Sequence, residues 1–302
     1  MTRPRRKREL SKRAADIPWG VDSEYGRLLD VLLCPPDNYH WLKTSAISEA
    51  TLDSGAQFDP ERARAQHAEL VSIYEQEGVR CHFLEPDPAL PYQVFARDSS
   101  LMTPRGAVVT QMRQWWRRGE YAAVIRFYQE AGIPIAAMIT AAALEGGDVM
   151  IVEPGRVVIG CSGARTQEPA ARQLATVFED IGWEARVETF PERYLHIDVL
   201  VSVPAQKLAA ICVEVVSAEL LEWFRSAGFE LIEVPAAEAF ELGANAMSLG
   251  AERVISPAGA TSLNEALRAR GIEVLEPELD AFTLGGGGAH CLSQALRREP
   301  VG

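Results

Sequence analysis

No two cysteines in this 302-residue sequence stand in a C-x-x-C pair, and the five present (Cys34, Cys81, Cys161, Cys212 and Cys291) are scattered and odd in number. That spacing gives neither a disulfide framework nor the ligand set of a structural zinc. No stretch reaches the roughly 20 apolar residues needed to span a bilayer. The opening MTRPRRKRELSKRAADIPWG lacks the apolar segment of a secretory signal. A Pro/Ser-rich linker that would split the chain is missing too. These absences leave the expectation of a cytoplasmic, enzyme-sized protein with no membrane partner. It would have a basic, disordered tail over residues 1–18 and one domain over residues 19–302, long enough to bury roughly 75% of its unfolded surface.

Positive charge is scarce once the tail is set aside. The formal net charge is −12, but residues 1–13 hold seven Lys/Arg against one Glu, so the remainder carries 23 basic and 41 acidic residues, a balance of −18. A body of that sign repels phosphate backbones, which argues against a nucleic-acid partner.

What is present is an alternation of short apolar runs with amphipathic ones. Strands are expected at Arg27–Cys34, Val79–Leu84, Ser100–Met102, Ala107–Gln111, Asp148–Val152, Arg156–Cys161, Ile197–Val203, Lys207–Cys212, Glu230–Val234, Ala246–Leu249, Arg253–Ser256 and Glu273–Glu276. Helices are expected at Pro60–Gln76, Tyr121–Ala131, Glu168–Ile181, Ala218–Ser226 and Ser262–Arg270. Three segments, GGDVMIVEPGRVVIG, HIDVLVSVPAQKLAAIC and ANAMSLGAERVIS, each read as strand, short turn, strand, followed by a helix and a further strand. This is a diverged ββαβ repeat. Stacked around an axis, such units bury one face each and bring distant loops together.

Four segments put polar groups at strand ends: FARDSS (Phe95–Ser100), LEGGDV (Leu144–Val149), HIDV (His196–Val199) and GGGGAHC (Gly285–Cys291). Four of the cysteines lie in strand-like apolar surroundings, where a thiol is a small hydrophobe. Cys291, in LGGGGAHCLSQ, is the exception. A cysteine, a histidine and several carboxylates together suit attack on an electron-poor carbon of a cationic substrate. Asp98, Glu145, Asp148 and Asp198 point to a guanidinium or amidinium, whose N–H fork matches carboxylate geometry. His290 adjoins Cys291, and neighbours in an extended segment face opposite ways, so His196 is the expected base.

The order F-x-R-D, E-G-G-D, H-x-D and a Gly-rich stretch ending in Cys resembles the guanidino-group-modifying enzymes: arginine deiminases, dimethylarginine dimethylaminohydrolases and amidinotransferases. The likeness runs over about residues 25–295. It implies a single-domain five-bladed α/β propeller, or pentein, of ββαβ repeats. It implies Cys291 as nucleophile, His196 as general acid/base, Glu145 as the group orienting His196, and Asp98 and Asp198 as guanidinium ligands, with Phe95 and Asp148 counted in the substrate-binding set. SGART nominates Arg165 for a substrate carboxylate, and RRGE nominates Arg117 or Arg118. No metal or other cofactor is implied, the partner is a small guanidino substrate, and a homo-oligomer stays open.

Asp198 bears on which guanidine. In methylarginine hydrolases the matching position is usually not acidic, since a dialkylated nitrogen has no proton to give; in deiminases and amidinotransferases it is Asp. A buried carboxylate robbed of its donor costs roughly 3–5 kcal/mol. The expected activity is therefore a cysteine hydrolase of arginine or an arginine-like guanidino acid, yielding a ureido product with ammonia or an amine. At 302 residues the chain has the length of the compact hydrolases and lacks room for the extra helical domain of bacterial deiminases. Dimethylarginine dimethylaminohydrolase and amidinotransferase remain as alternatives, with a non-catalytic propeller that binds a guanidino ligand or a protein partner as the reading from another class. CPPDNYH, after the first strand, is a candidate lid.

Overall fold

The computed structural model describes residues 19–301, and the tail expected over residues 1–18 lies outside the described residues. In chain order the strands are β1 (Leu28–Leu33), β2 (Arg80–Phe83), β3 (Ser100–Thr103), β4 (Gly106–Val109), β5 (Ile135–Met138), β6 (Val149–Glu153), β7 (Arg156–Cys161) and β8 (Glu184–Thr189). The second half adds β9 (Val201–Ala205), β10 (Leu208–Ile211), β11 (Glu230–Glu233), β12 (Met247–Gly250), β13 (Arg253–Ile255), β14 (Glu273–Leu275) and β15 (Gln294–Arg298).

These strands form five three-stranded sheets, ordered β15-β1-β2, β3-β4-β5, β6-β7-β8, β9-β10-β11 and β12-β13-β14. Within each, the first pair is antiparallel and the second parallel. A parallel step needs a crossover, and each blade has a helix for it: Pro60–Gln76, Glu120–Glu130, Glu168–Glu179, Ala218–Ser226 and Thr261–Arg268. The fold is the expected single-domain five-bladed α/β propeller. Its first blade is closed by the last strand, so β15 ties the two chain ends together through Leu28↔Arg298 and Val31↔Ala295. Among the described residues no helix is long and apolar enough to cross a membrane.

Local chemistry accounts for the elements. Pro60–Gln76 starts where the Asp59 carboxylate accepts from the Glu61 and Arg62 amides with Pro60 in the first turn, and it buries Ala63, Gln66, His67, Leu70 and Tyr74, one stripe at helical spacing. Strands β3, β4, β6, β10 and β12 are buried along their whole length, and β4, β6 and β10 accordingly read as largely apolar runs. The β12–β13 turn takes Ala251 and Glu252 at φ 49° and 60°, the left-handed pair that matches strand twist in a two-residue hairpin.

Two expectations are corrected. The strand drawn from Ile197 begins at Val201, because Ile197–Val199 is a buried 3₁₀ turn whose apolar residues mimic a strand. The unforeseen strands are β5, β8 and β15; β8 (EARVET) is a half-exposed edge carrying Glu and Arg, and β15 (QALRR) buries the polar Gln294 and Arg298.

Candidate active site

A turn leads into the first strand of each blade, and these five turns converge. They carry Asp98 before β3, Glu145–Asp148 before β6, His196–Asp198 before β9, Asn245 before β12 and Cys291 before β15, all buried. Hydrogen bonds link the turns into a ring. The Arg97 amide donates to the Cys291 carbonyl (3.2 Å) and the Gly146 amide to that of Asp98 (2.9 Å). The Ile197 amide donates to Asp148 Oδ1 (2.9 Å) and Asn245 Nδ2 to the Asp198 carbonyl (3.1 Å). Asn245 Oδ1 closes the ring by accepting from the amides of His290 (3.1 Å) and Cys291 (3.2 Å).

Glycine is required where this packing is tightest. A Cβ on Gly147 would lie 2.6 Å from His196 Nδ1 and 2.9 Å from Asp98 Oδ1, and one on Gly288 would lie 2.7 Å from Asn245 Oδ1. We expect Gly147→Ala to push the imidazole aside and lower turnover by on the order of 10²-fold. Gly259→Ala, with nothing within 4 Å, should leave turnover unchanged in the same product assay.

A narrow cavity at the ring is walled by Asp98, Arg117, Arg165, His196 and Cys291, with Phe95 and Tyr92 as its aromatic side and Gly285–Gly286 as another. Thr44 and Ser45 cover it, at the end of the segment that begins with CPPDNYH. That segment is packed down: Tyr39 stacks on Phe282 at 5.4 Å, Trp41 Nε1 donates to the Ala281 carbonyl (2.7 Å), and Arg165 Nη2 donates to the Thr44 carbonyl (2.7 Å).

Around the thiol, Asn245 Nδ2 donates to Cys291 Sγ (3.2 Å) and the thiol faces Asp198 Oδ2 (3.4 Å). Burial, followed by the negative charges of Asp198 and Asp98, raises the Cys291 thiol well above its ordinary pKa. His196 Nε2 bonds Glu145 Oε2 (2.8 Å), and its Nδ1 lies 3.7 Å from Asp98 Oδ1. Burial disfavours the imidazolium, but Asp98, the Glu145 hydrogen bond and Asp148 outweigh it and raise the pKa to about 9. Burial acts to raise the Glu145 carboxyl; Arg165 (3.4 Å), the His196 hydrogen bond and Arg117 (3.9 Å) reverse this and hold it below the usual carboxylate range. Leu195, just before His196, sits at φ 63°, ψ −73°, and the His196 amide donates back to the Tyr194 carbonyl (2.7 Å). This is a strained γ-turn that aims His196 inward.

Among the described residues, Glu145 Oε1, His196 Nδ1 and Asp198 Oδ1 are buried without a hydrogen-bond partner. Asp98, Glu145 and His196 could together hold a cation, having ligand atoms within 4.8 Å of one another.

The sequence-derived residues separate by geometry. Cys291, His196, Asp98, Phe95, Arg117 and Arg165 share the cavity, while Glu145 stands behind His196 and Asp198 against the thiol. Of the two arginines, Arg118 is exposed and its Nη2 donates to the Arg113 carbonyl, whereas Arg117 is buried in the cavity wall. Arg117 in turn spends its donors inside the protein, on Asp98 Oδ2 (2.8 Å), Glu120 (2.7 and 2.9 Å) and the Tyr92 carbonyl (3.2 Å), which suits holding Asp98 rather than a ligand. Asp148, like Asp198, stands outside the cavity wall: its Oδ1 accepts from the Ile197 amide, its Oδ2 is buried without a partner, and burial raises its carboxyl to about 7. Asn245 and Glu24 were missed. The repeat carried the signal for Asn245, since ANAMSLG aligns with the other two repeats and puts Asn245 where they carry Asp148 and Asp198.

Fold and site together define the class, the guanidino-group-modifying superfamily of α/β propellers. A family model described as N,N dimethylarginine dimethylhydrolase, eukaryotic, matches residues 43–298, and the chain belongs to that family. It is 30% identical over 239 residues to the N(G),N(G)-dimethylarginine dimethylaminohydrolase of Pseudomonas aeruginosa, covering 78% of this chain and 89% of that protein. The uncharacterized protein YkgA of Bacillus subtilis is 28% identical over 281 residues, covering 91% of this chain and 94% of YkgA. A solved structure of a mutant Pseudomonas aeruginosa dimethylarginine dimethylaminohydrolase complexed with citrulline superposes with a TM-score of 0.74 at 26% identity, over 89% of this chain and 99% of that one.

Proposed function

We propose that this protein is a cysteine hydrolase of the guanidino group of arginine or an arginine-like guanidino acid. The observation that carries the reading is a buried thiol that shares the cavity wall with Asp98 and lies 3.4 Å from Asp198 Oδ2, with Asp198 Oδ1 lacking any donor within the described residues. A guanidinium is a planar cation rich in N–H donors, and it completes that arrangement.

Substrate binding arms the nucleophile. The carboxylates that raise the thiol pKa are neutralised by the incoming cation, while Asn245 Nδ2–H continues to favour the thiolate. As the cation binds, the Cys291 thiol gives up its proton to solvent, and the thiolate adds to the guanidinium carbon. His196, protonated below pH about 9, gives its proton to the departing nitrogen, and ammonia leaves. An S-alkylthiouronium remains on Cys291. Water then attacks the same carbon and His196 takes its first proton; the tetrahedral adduct expels the thiolate, and the remaining hydroxyl proton leaves to solvent, where it is taken up by ammonia, giving the neutral ureido product. Glu145 holds His196 and stabilises its charged form. Arg165 is the candidate partner of the substrate α-carboxylate, provided the Thr44 contact yields, and it argues against a decarboxylated amine such as agmatine.

A second reading, dimethylarginine hydrolysis, is supported by the family match and the Pseudomonas aeruginosa relative. Asp198 weighs against it, because a dimethylated nitrogen brings no proton to Oδ1. Mass spectrometry of products from arginine, Nω,Nω-dimethylarginine and guanidino acids separates the possibilities. We expect citrulline and ammonia from arginine, with the higher kcat/KM. Citrulline with dimethylamine alone would establish the second reading. Ornithine with an amidinated acceptor would establish a transferase.

A further inference from the structure

The reaction above leaves one buried titratable group beside the thiol without a task. His290 precedes the nucleophile, yet its side chain turns away from the cavity and donates Nδ1–H to Asp198 Oδ2 (2.8 Å). On its other edge Nε2 lies 3.5 Å from Glu24 Oε2, and Glu24 Oε1 is paired with Arg97 Nη2 (3.3 Å). All four side chains are buried. Asp198 therefore ends a charged chain, Arg97–Glu24–His290–Asp198, that runs inward from the site.

We infer that His290 is a positioning residue for guanidinium recognition, holding Asp198 by one oxygen so that the other, Oδ1, is presented to the substrate. The inference rests on the guanidino reading and deepens it. A carboxylate free to rotate would offer either oxygen, or place both against the sulfur. With Oδ2 fixed by His290, its charge is partly offset where it faces Cys291 Sγ at 3.4 Å, and Oδ1 remains as the open acceptor. Consistent with this, burial opposes ionisation of Asp198, but the His290 hydrogen bond and charge bring its pKa below the ordinary value. Burial and Arg97 act to discharge His290, and Asp198 and Glu24 outweigh them and raise its pKa.

The test reads recognition directly at the thiol. Second-order rates of Cys291 alkylation by 2-chloroacetamidine, a planar N–H-rich cation, and by neutral 2-chloroacetamide are compared in the full-length protein. The amidine/amide ratio should fall by about tenfold or more in His290→Ala, the effect of losing one charge-assisted hydrogen bond. His290→Asn, whose amide N–H can replace Nδ1–H toward Asp198, should keep the ratio within about threefold, while His290→Gln, whose donor reaches the Nε2 position instead, should lose it. If His290→Ala fails to fold, the Asn/Gln contrast decides, since a merely structural polar site would treat the two amides alike. An unchanged ratio in His290→Ala, or equal ratios in the Asn and Gln variants, overturns the inference while leaving the guanidino reading intact. A wild-type protein with no preference for the amidine overturns that reading, and this inference with it.

Discussion

Cys291→Ser is expected to be folded and to have lost turnover of guanidino substrates by on the order of 10⁴-fold or more, about 5.4 kcal/mol of transition-state stabilisation. The substitution is nearly isosteric and removes no packing contact. The Asn245 Nδ2 donor, 3.2 Å from sulfur, finds a hydroxyl oxygen in its place, and Asp198 Oδ2 still has a donor to accept from. What disappears is the ionisable, polarisable group proposed as the nucleophile. Burial and the charges of Asp198 and Asp98 raise the pKa of the Cys291 thiol, and in the proposed reaction the cationic substrate offsets the second cause. A neutral alkylating agent should accordingly react slowly at pH 7 and faster as pH rises, whereas a cationic amidine should react rapidly at pH 7. Product formation by Cys291→Ser above about 1% of wild type, with an unchanged thermal melt, would show that the thiol is not the nucleophile.

Much of this architecture is legible in the sequence. Pro60–Gln76, Ala218–Ser226 and Arg156–Cys161 have the bounds their patterns announced, because each is bracketed by strong local signals: an Asp59 cap, a Ser217 cap, and the Pro154-Gly155 turn, where Gly155 takes φ 87°. The three ββαβ segments were enough to argue that distant loops converge, and they do. What failed lies where burial or exposure uncouples pattern from structure. Apolar Ile197–Val199 sits at the crowded centre, where turn and strand alike are buried, so hydrophobicity does not separate them. At the periphery β8 is half-exposed, and its alternating charges merge with the preceding helix.

The site shows the same division. Residues able to act as acid, base or nucleophile were found because their chemistry makes them conspicuous. Asn245 has no titratable group and so does not stand out in the sequence as reactive, although it touches Cys291, His290 and Asp198 and closes the ring of turns. Glu24 lies in VDSEYG, before a strand with no motif around it, and acquires meaning only through Arg97 and His290. The arginines were named for a substrate carboxylate from the resemblance. In three dimensions Arg117 braces Asp98 and Glu120, burial raising the Glu120 carboxyl to about 7 despite that pairing, and Arg165, in the same cavity wall, donates to Glu145 and to the Thr44 carbonyl.

His196→Ala is expected to reduce kcat by roughly 10³- to 10⁴-fold, at the upper end of what one proton-transfer group contributes. Folding should survive, because Glu145, which loses its partner, keeps Arg165 at 3.4 Å and Arg117 at 3.9 Å to balance its buried charge. The pH profile carries a second signature. In the proposed reaction His196 must be protonated to expel the amine, and Asp98, Glu145 and Asp148 raise its pKa to about 9 against the pull of burial. Wild-type kcat/KM should therefore fall as pH rises through about 9, the proton being lost there, and the residual activity of His196→Ala should lack that limb. His290→Ala, by contrast, should retain the alkaline limb and a measurable share of turnover, since His290 faces Asp198 Oδ2 and not the cavity. If His290→Ala removed the limb and His196→Ala kept it, the assignment of acid and base would be reversed.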